Sequence, residues 1–553
     1  MASGARHYGV TILARLSGPL SKPPVRLALA LAACALLALA ATGCGGGSKS
    51  ATSATSHRSP FESIFGADVA LRTNPTGTLD LLRSLGVTRV KVMLPWSHVA
   101  PAAQASSPPA GFRATDPAAY PTSGWAPYDA IMRAAHTRGV GVDLTVVQPA
   151  PQWATGAGAP SGPSGIWKPS ATAFGAFMRA VGTRYSGHYK PAGGGSPLPR
   201  VDFWGVWNEP NYGQDLAPQA IGSTIEIAPR LYRGLLDAAY ASLQATGHGQ
   251  DTILIGDIAP RGITVGDAPG NFSGMVPLRF VRALYCVGSH LTPLRGSAAT
   301  LRGCPATAAA SRAFPAQHPV LFRASGFAVH PYPQGRTPPN LPNSFEPDYA
   351  DLGALVNLEH LLDRVLTGYG SSKRFDLWST EFGYKTDPPY ASGLPLSTAA
   401  LYLNWSEYIS WSNPRIRSYD QYLITDPAPN SGSSFDTGLE YASGAPKPTL
   451  AAFRLPLFLP RAHAGRGHAI EVWGCIRPAP YAQRDTGSQQ TAQVEFARTP
   501  AGPFTVLDHV PITDPDGYFD VQVKFPASGV VRLSWTPPHG PVQHSRMATV
   551  AIG

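Results

Sequence analysis

The sequence predicts an α/β fold, a (β/α)8 TIM barrel, followed by a small C-terminal β-sandwich domain. Three observations carry this. Over 61–460, eight short apolar segments alternate with helix-period segments, the grammar of a parallel sheet. Two of those segments, Val201–Val206 and Phe375–Ser379, run into glutamates, Glu209 and Glu381. A barrel gathers such strand ends on its C-terminal face. Over 461–553 the helical period gives way to short alternating segments. An open doubly wound sheet would want a Gly-rich turn after the first strand, and none follows it.

The first strand is expected at Ile64–Val69, and the next at Val90–Leu94 after a helix over Thr78–Leu85 that Gly86 caps. A helix over Pro127–Arg138 leads to the third strand, Val140–Val147. Ala173–Tyr185 is helical and feeds Val201–Val206, which stops abruptly at Trp207-Asn208-Glu209-Pro210-Asn211. Pro229 opens an amphipathic helix to Leu243, where a missing N–H costs little. Ile253–Ile258 is the fifth strand, and 264–318 an insertion in the loop that follows it. Gly326–Val329, Phe375–Ser379 and Ile416–Gln421 complete the eight strands, with helices over Leu352–Leu366 and Ala399–Ile409 between them.

The last ninety or so residues form six alternating segments split by Pro, Gly and Asp, of Ig-like size and without a helical period. Their aromatics Trp473, Tyr518, Phe519 and Trp535 either fill the core and the seam with the barrel or form a sugar-binding face.

Gly (57) and Pro (56) are abundant in the 553 residues and charged residues are 14%, which favours a loop-rich exported protein. The N-terminus reads as a lipoprotein-type signal peptide over 1–43. Basic residues end at Arg26, and the apolar run Leu27–Ala41 is short for a bilayer span. Ala41-Thr42-Gly43-Cys44 resembles a bacterial lipobox with Ala41 where the pattern prefers leucine, and it makes Cys44 the expected lipidation site. The stretch 44–60 is polar and small, a flexible tether. The expected localisation is therefore exported, either as a cell-surface lipoprotein or secreted. The membrane is touched only through the N-terminal lipid anchor.

Of the formal charge of +10, four charges (Arg6, Arg15, Lys22, Arg26) precede the apparent cleavage point, and no basic run or helix face remains. Nucleic acid is not an expected partner. Cys286 and Cys304 bracket part of the insertion and are expected to pair, at about 3 kcal/mol for a loop of that size. Cys475 is left as a buried thiol. No Cys/His grouping has zinc spacing, so neither metal nor other cofactor is expected.

The runs Trp207-Asn208-Glu209-Pro210-Asn211, His330-Pro331-Tyr332 and Ser379-Thr380-Glu381-Phe382-Gly383, in this order, resemble the clan A glycoside hydrolases, in a manner between families 5 and 39, over roughly 61–460. The resemblance implies a retaining enzyme on a (β/α)8 barrel, with Glu209 as general acid/base and Glu381 as nucleophile. It implies that Asn208 bonds the sugar 2-hydroxyl. Tyr332 places a phenol by the nucleophile, and His330 supports the site or touches substrate. A basic residue beneath the nucleophile is expected on the second strand, as Arg89 or Lys91, which share a face. Trp96, Trp153, Trp167 and Tyr212 are candidate sugar platforms in C-terminal loops, and Tyr422 or Tyr419 one at the eighth strand.

A retaining mechanism needs its carboxyls about 5–5.5 Å apart. The function expected is hydrolysis of O-glycosidic bonds in a poly- or oligosaccharide by double displacement, by a monomer. The alternatives are a non-catalytic carbohydrate-binding envelope protein on the same scaffold, or a transglycosylase using the same site.

Overall fold

A computed structural model describes residues 61–222, 224–263, 270–340, 347–429, 431 and 435–553. The signal segment, the tether and Cys44 lie outside the described residues. Eight parallel strands form the barrel: β1 (Glu62–Gly66), β2 (Arg89–Pro95), β3 (Gly141–Val147), β4 (Phe203–Val206), β5 (Thr252–Ile258), β6 (Gly326–Val329), β7 (Asp376–Ser379) and β8 (Ser418–Tyr422). Their order in the sheet is β8-β1-β2-β3-β4-β5-β6-β7. The ring closes where Leu377 of β7 bridges Ile416 just ahead of β8.

Helices follow the strands in turn: α1 (Pro75–Ser84), α2 (Thr122–Arg138), α3 (Ala171–Arg184), α4 (Ala228–Ala245), the short α5 (Val320–Arg323), α6 (Leu355–Gly368), α7 (Leu396–Ser412) and α8 (Pro448–Arg454). Local chemistry sets their starts. The Asn74 side chain accepts from the Gly77 N–H at 3.1 Å, and Pro75 occupies the first turn of α1. Ser170 accepts from the Ala173 N–H at the start of α3. The leucines, valines and aromatics between helices and strands make one continuous core.

Inside the barrel, Ile64, Phe203, Leu254, Ala328 and Trp378 form an apolar layer. Polar side chains occupy the interior nearer the C-terminal strand ends, among them Lys91, Asp143, Thr145 and Asp257. Two glycines allow this filling. A Cβ on Gly205 would lie 2.2 Å from Thr145 Oγ1. Gly256 (φ +107) sits at a break in the β5–β6 register between Ile255 and Ile258, where a Cβ would lie 2.5 Å from the Ala328 carbonyl. That bulge turns Asp257 into the barrel.

The first expected strand is corrected at its end: β1 stops at Gly66 and Asp68–Thr73 is a helix that leaves Val69 71% exposed. Asp68 ties this turn down by accepting the Met93 N–H. In the insertion, Cys286 and Cys304 form a disulfide. Arg233 of α4 anchors it by donating to the carbonyls of Leu284 (2.8 Å) and Gly303 (2.9 Å).

The C-terminal β-sandwich has two sheets. One pairs β9 (Leu457–Phe458), β11 (Ala469–Cys475) and β14 (Tyr518–Lys524). The other contains β10 (His463–Ala464), β12 (Thr491–Ala497), β13 (Thr505–Pro511), β15 (Gly529–Trp535), β16 (Gln543–His544) and β17 (Ala548–Ile552). A helix, α9 (Ala479–Thr486), interrupts the expected run of strands. The four aromatics are all buried. Phe519 and Trp535 lie in the sandwich core, Trp473 and Tyr518 in the core shared with the barrel. They offer no sugar-binding face. Cys475 is a buried free thiol.

A buried ion pair crosses the seam: Arg477 Nη2 lies 2.6 Å from Glu407 Oε1 of α7, which also accepts the Tyr518 hydroxyl at 2.6 Å. Among the described residues no helix is long and apolar enough to cross a membrane.

Candidate active site

Glu209 follows β4 and Glu381 follows β7, so both stand at C-terminal strand ends. The chain bends sharply there: Trp207 (φ +67), Glu209 (φ +37) and Asp257 (φ +50) all sit in the left-handed region. Such backbone costs about 1–3 kcal/mol per residue and survives only where its surroundings hold it. One restraint is the Glu209 N–H, which donates to the Asp257 carbonyl at 2.9 Å.

The two glutamates meet. One carboxylate oxygen of Glu209, one of Glu381 and one ring nitrogen of His330 lie within 4.8 Å of one another. Glu381 is buried and both its oxygens are held: Oε1 by the Lys91 ammonium at 3.4 Å, Oε2 by the Tyr332 hydroxyl at 3.2 Å. Glu209 is more open, its side chain 20% exposed, and Oε1 accepts from His330 Nδ1 at 2.8 Å. His330 Nδ1 is also 3.7 Å from Glu381 Oε2, so the imidazole bridges the pair.

Beneath the glutamates lies a charge network. Lys91 Nζ is 3.1 Å from Asp257 Oδ2 and 3.1 Å from His330 Nε2, and His330 Nε2 donates to Asp257 Oδ1 at 3.1 Å. Thr380 Oγ1 donates to the same Asp257 oxygen. Burial alone would lower Lys91, but the carboxylates of Asp257 and Glu381 override it and hold the ammonium above the ordinary lysine range. Burial likewise opposes charge on His330, yet Glu381 and Asp257 outweigh burial and the neighbouring Lys91, and the imidazole is pushed up to about 10. Burial would raise Asp257, and Lys91 and His330 instead hold it well below the usual carboxylate range. Two cations in contact persist because three carboxylates surround them. An imidazole set between two carboxylates suits proton and charge work.

Lys91, not Arg89, is the basic residue under Glu381. Arg89 faces the same interior two residues earlier, where it pairs with Glu62 at 2.5 Å. Asn208 stands beside Glu209, its Nδ2 donating to Asp215 Oδ2 at 3.0 Å while its buried Oδ1 has no protein partner. Burial, then the nearby Glu209, push the Asp215 carboxyl up to about 8.

The aromatic expectations divide. Trp96 is fully buried, stacked on Phe177 with ring centres 5.7 Å apart, so the expectation of a sugar platform there is corrected: it opens a short helix whose face turns into the core. Tyr419 is core as well, its hydroxyl donating to the Leu403 carbonyl. Trp167 is buried over Phe272. Trp153 is half-buried, its indole N–H given to the Pro101 carbonyl. Tyr212 is 41% exposed, and its backbone N–H donates to the Glu209 carbonyl at 2.7 Å. Tyr422 ends β8 half-buried, edge-on to Phe435.

Asp257 and Asp215 were not foreseen. Asp257 carried the same signal as the glutamates, an acid at the end of a buried strand. Asp215, seven residues beyond Asn208, carried none.

No protein-family profile matches the chain, and no curated protein does. Among solved structures it is similar to a family 39 glycoside hydrolase from the gut symbiont Bacteroides cellulosilyticus WH2, at TM-score 0.44 and 15% identity, over 84% of this chain and 79% of that one. It is also similar to a glucosidase from Croceicoccus marinus (TM-score 0.42, 12% identity, 85% and 88% covered). A third is a GH30 endoxylanase from Clostridium papyrosolvens C71 (TM-score 0.43, 11% identity, 85% and 95% covered).

Proposed function

We propose that the protein is a retaining glycoside hydrolase that cleaves O-glycosidic bonds of a poly- or oligosaccharide by double displacement. One observation carries the reading: an oxygen of the Glu209 carboxylate lies within 4.8 Å of an oxygen of the Glu381 carboxylate, too close to leave room for a water between them. Retaining enzymes hold their carboxyls about 5–5.5 Å apart, whereas inverting ones leave about 6.5–9.5 Å for a water.

Glu381, buried and held by Lys91 and Tyr332, attacks the anomeric carbon. The two donors orient it and favour its anionic form. Glu209, more open, gives its proton to the departing glycosidic oxygen. It then takes a proton from the water that breaks the glycosyl ester, so the same group serves as acid and then base. His330 donates to Glu209 Oε1 and fixes which oxygen faces the bond.

The test is Glu381→Ala on a panel of nitrophenyl glycosides. Turnover should vanish, and azide should restore it with inverted anomeric configuration. Unimpaired turnover in that variant ends the proposal. We also propose that the chain is exported and anchored through a lipid on Cys44. Incorporation of labelled fatty acid into the wild type and not into Cys44→Ala supports it, and equal incorporation does not.

A further inference from the structure

Asp257 is tied to both halves of the paired-glutamate site. It sits in the β5 bulge at φ +50, and its carbonyl accepts the Glu209 N–H at 2.9 Å. Its carboxylate is engaged at both oxygens. Lys91 Nζ donates to Oδ2 at 3.1 Å, while Oδ1 takes His330 Nε2 at 3.1 Å and the hydroxyl of Thr380, one residue before Glu381.

The imidazole of His330 is sealed from water, with none of its side chain exposed. Nδ1 lies 2.8 Å from Glu209 Oε1, and Nε2 donates to Asp257. The partner of one ring nitrogen settles what the other can do, and a carboxylate there makes the ring more basic. A proton on Nδ1 has two carboxylates in front of it, Glu209 at 2.8 Å and Glu381 at 3.7 Å. Only the first is within hydrogen-bond reach. The charges facing the ring are Lys91 of β2, Glu209 after β4, Asp257 of β5, Glu381 after β7 and, at longer range, Asp420 of β8.

We propose that Asp257 is a positioning residue of the acid–base step: it aims the His330 Nδ1–H at Glu209 Oε1, so that the buried imidazole exchanges a proton with one oxygen of Glu209 while the other oxygen serves the substrate. This inference rests on the glycosidase reading. Glu209 Oε2 gives its proton to the departing glycosidic oxygen, and Oε1 takes the proton of Nδ1. A neutral imidazole is left, with its hydrogen on Nε2 toward Asp257. In the second step the water oxygen bonds to the anomeric carbon as the ester bond to Glu381 breaks and its electron pair returns to that carboxylate. The proton of the water goes to Oε2, the Oε1 proton returns to Nδ1, and both groups are as they began. Asp257 keeps its charge throughout, because Lys91 and His330 outweigh its burial and hold it well below the usual carboxylate range.

The test compares kcat/KM for a phenyl glycoside, whose leaving oxygen needs a proton, with that for the matching 2,4-dinitrophenyl glycoside, which departs without one. Asp257→Asn in the full chain should slow the phenyl substrate about a hundredfold and the dinitrophenyl substrate less than about tenfold. Both rates come from one preparation, so their ratio is independent of the folded fraction. His330→Asn keeps an N–H near the place of Nδ1 but has no proton to exchange, and it should show the same split. In Asp257→Asn the alkaline limb of kcat/KM should move at least about one pH unit lower, since a negative charge that favours the proton is gone. Nitrogen NMR of histidine-labelled protein, with the His330 signal identified by its loss in His330→Asn, should show the ring of Asp257→Asn losing its proton over the same lower range. Equal slowing of the two substrates, an unmoved alkaline limb, or full turnover of the phenyl glycoside by His330→Asn overturns the proposal. If the wild type hydrolyses no glycoside, the glycosidase reading falls instead. The ring signal then decides alone: identical titration in wild type and Asp257→Asn removes the hold of Asp257 on the imidazole, and a shifted one upholds it.

Discussion

Replacing Lys91 by methionine keeps the length of the stem and removes a buried ammonium lying 3.1 Å from Asp257 and 3.4 Å from Glu381. Both carboxylates stay buried and lose their cation. At 3.4 Å and an effective dielectric of about 20, one such pair scales to about 5 kcal/mol. His330 and local relaxation recover part of this. Removing one partner of a buried pair costs about 3–5 kcal/mol, and we expect K91M to fall in that range. That is a large share of a typical stability of about 5–15 kcal/mol.

Urea unfolding of K91M, D257N and the double variant measures it. Since the second substitution removes a carboxylate orphaned by the first, the double variant should be more stable than the sum of the singles by about 1–3 kcal/mol. A K91M protein within about 1 kcal/mol of wild type, or strictly additive effects, would refute the charge network. The same substitution should lower kcat/KM on an aryl glycoside at least about a hundredfold, the equivalent of one strong charge-assisted contact.

Tyr332→Phe deletes one hydrogen bond to Glu381 and little volume. It should reduce kcat/KM about ten- to a hundredfold while the melting temperature scarcely moves. Equal activity would detach the phenol from the chemistry. Asp215 offers a pH test of stability. Burial and Glu209 raise its carboxyl to about 8 in the folded protein, against about 4 unfolded. The folded state therefore binds this proton more tightly, and its ionisation removes stability progressively as pH rises from about 4 to about 8 and no further above. Asp215→Asn lacks that titration, so its melting temperature should gain on wild type across this window and run parallel beyond it. A difference that is constant over the window contradicts the assignment.

Barrel class and both glutamates were legible because they are written locally. A short apolar segment ending in a carboxylate says where the strand stops and which end faces the site. Strand ends at Gly326–Val329 and Asp376–Ser379 matched closely because β-branched and aromatic runs stop at polar residues there. Val69 misled, since an apolar residue next to a strand continues the pattern although its side chain faces water. The aromatics misled in the opposite sense. Whether Trp96 points to the cleft or to α3 depends on which way Trp96–Val99 coils after β2, and no spacing encodes that. The choice between Arg89 and Lys91 could not be made from alternation, because both face inward. Depth along the strand separates them, and only the stagger of the closed barrel fixes depth. Asp215 was invisible because a loop carboxylate acquires its role from the neighbour it folds against.

The Glu407–Arg477 pair has a consequence for how this chain can be divided. Both partners are almost sealed from water, at 1% and 2% of the side chain exposed. Trp473 and Tyr518 belong to the same packed interior as the barrel helices. In the other direction, Leu455 and Leu457, which precede the change in sequence grammar at 461, belong to the sandwich core. A chain ended at 460 would strand a carboxylate in an apolar wall and leave that wall open. The small domain is therefore a foundation slab rather than a detachable accessory, and grafting it elsewhere would require carrying part of the barrel with it.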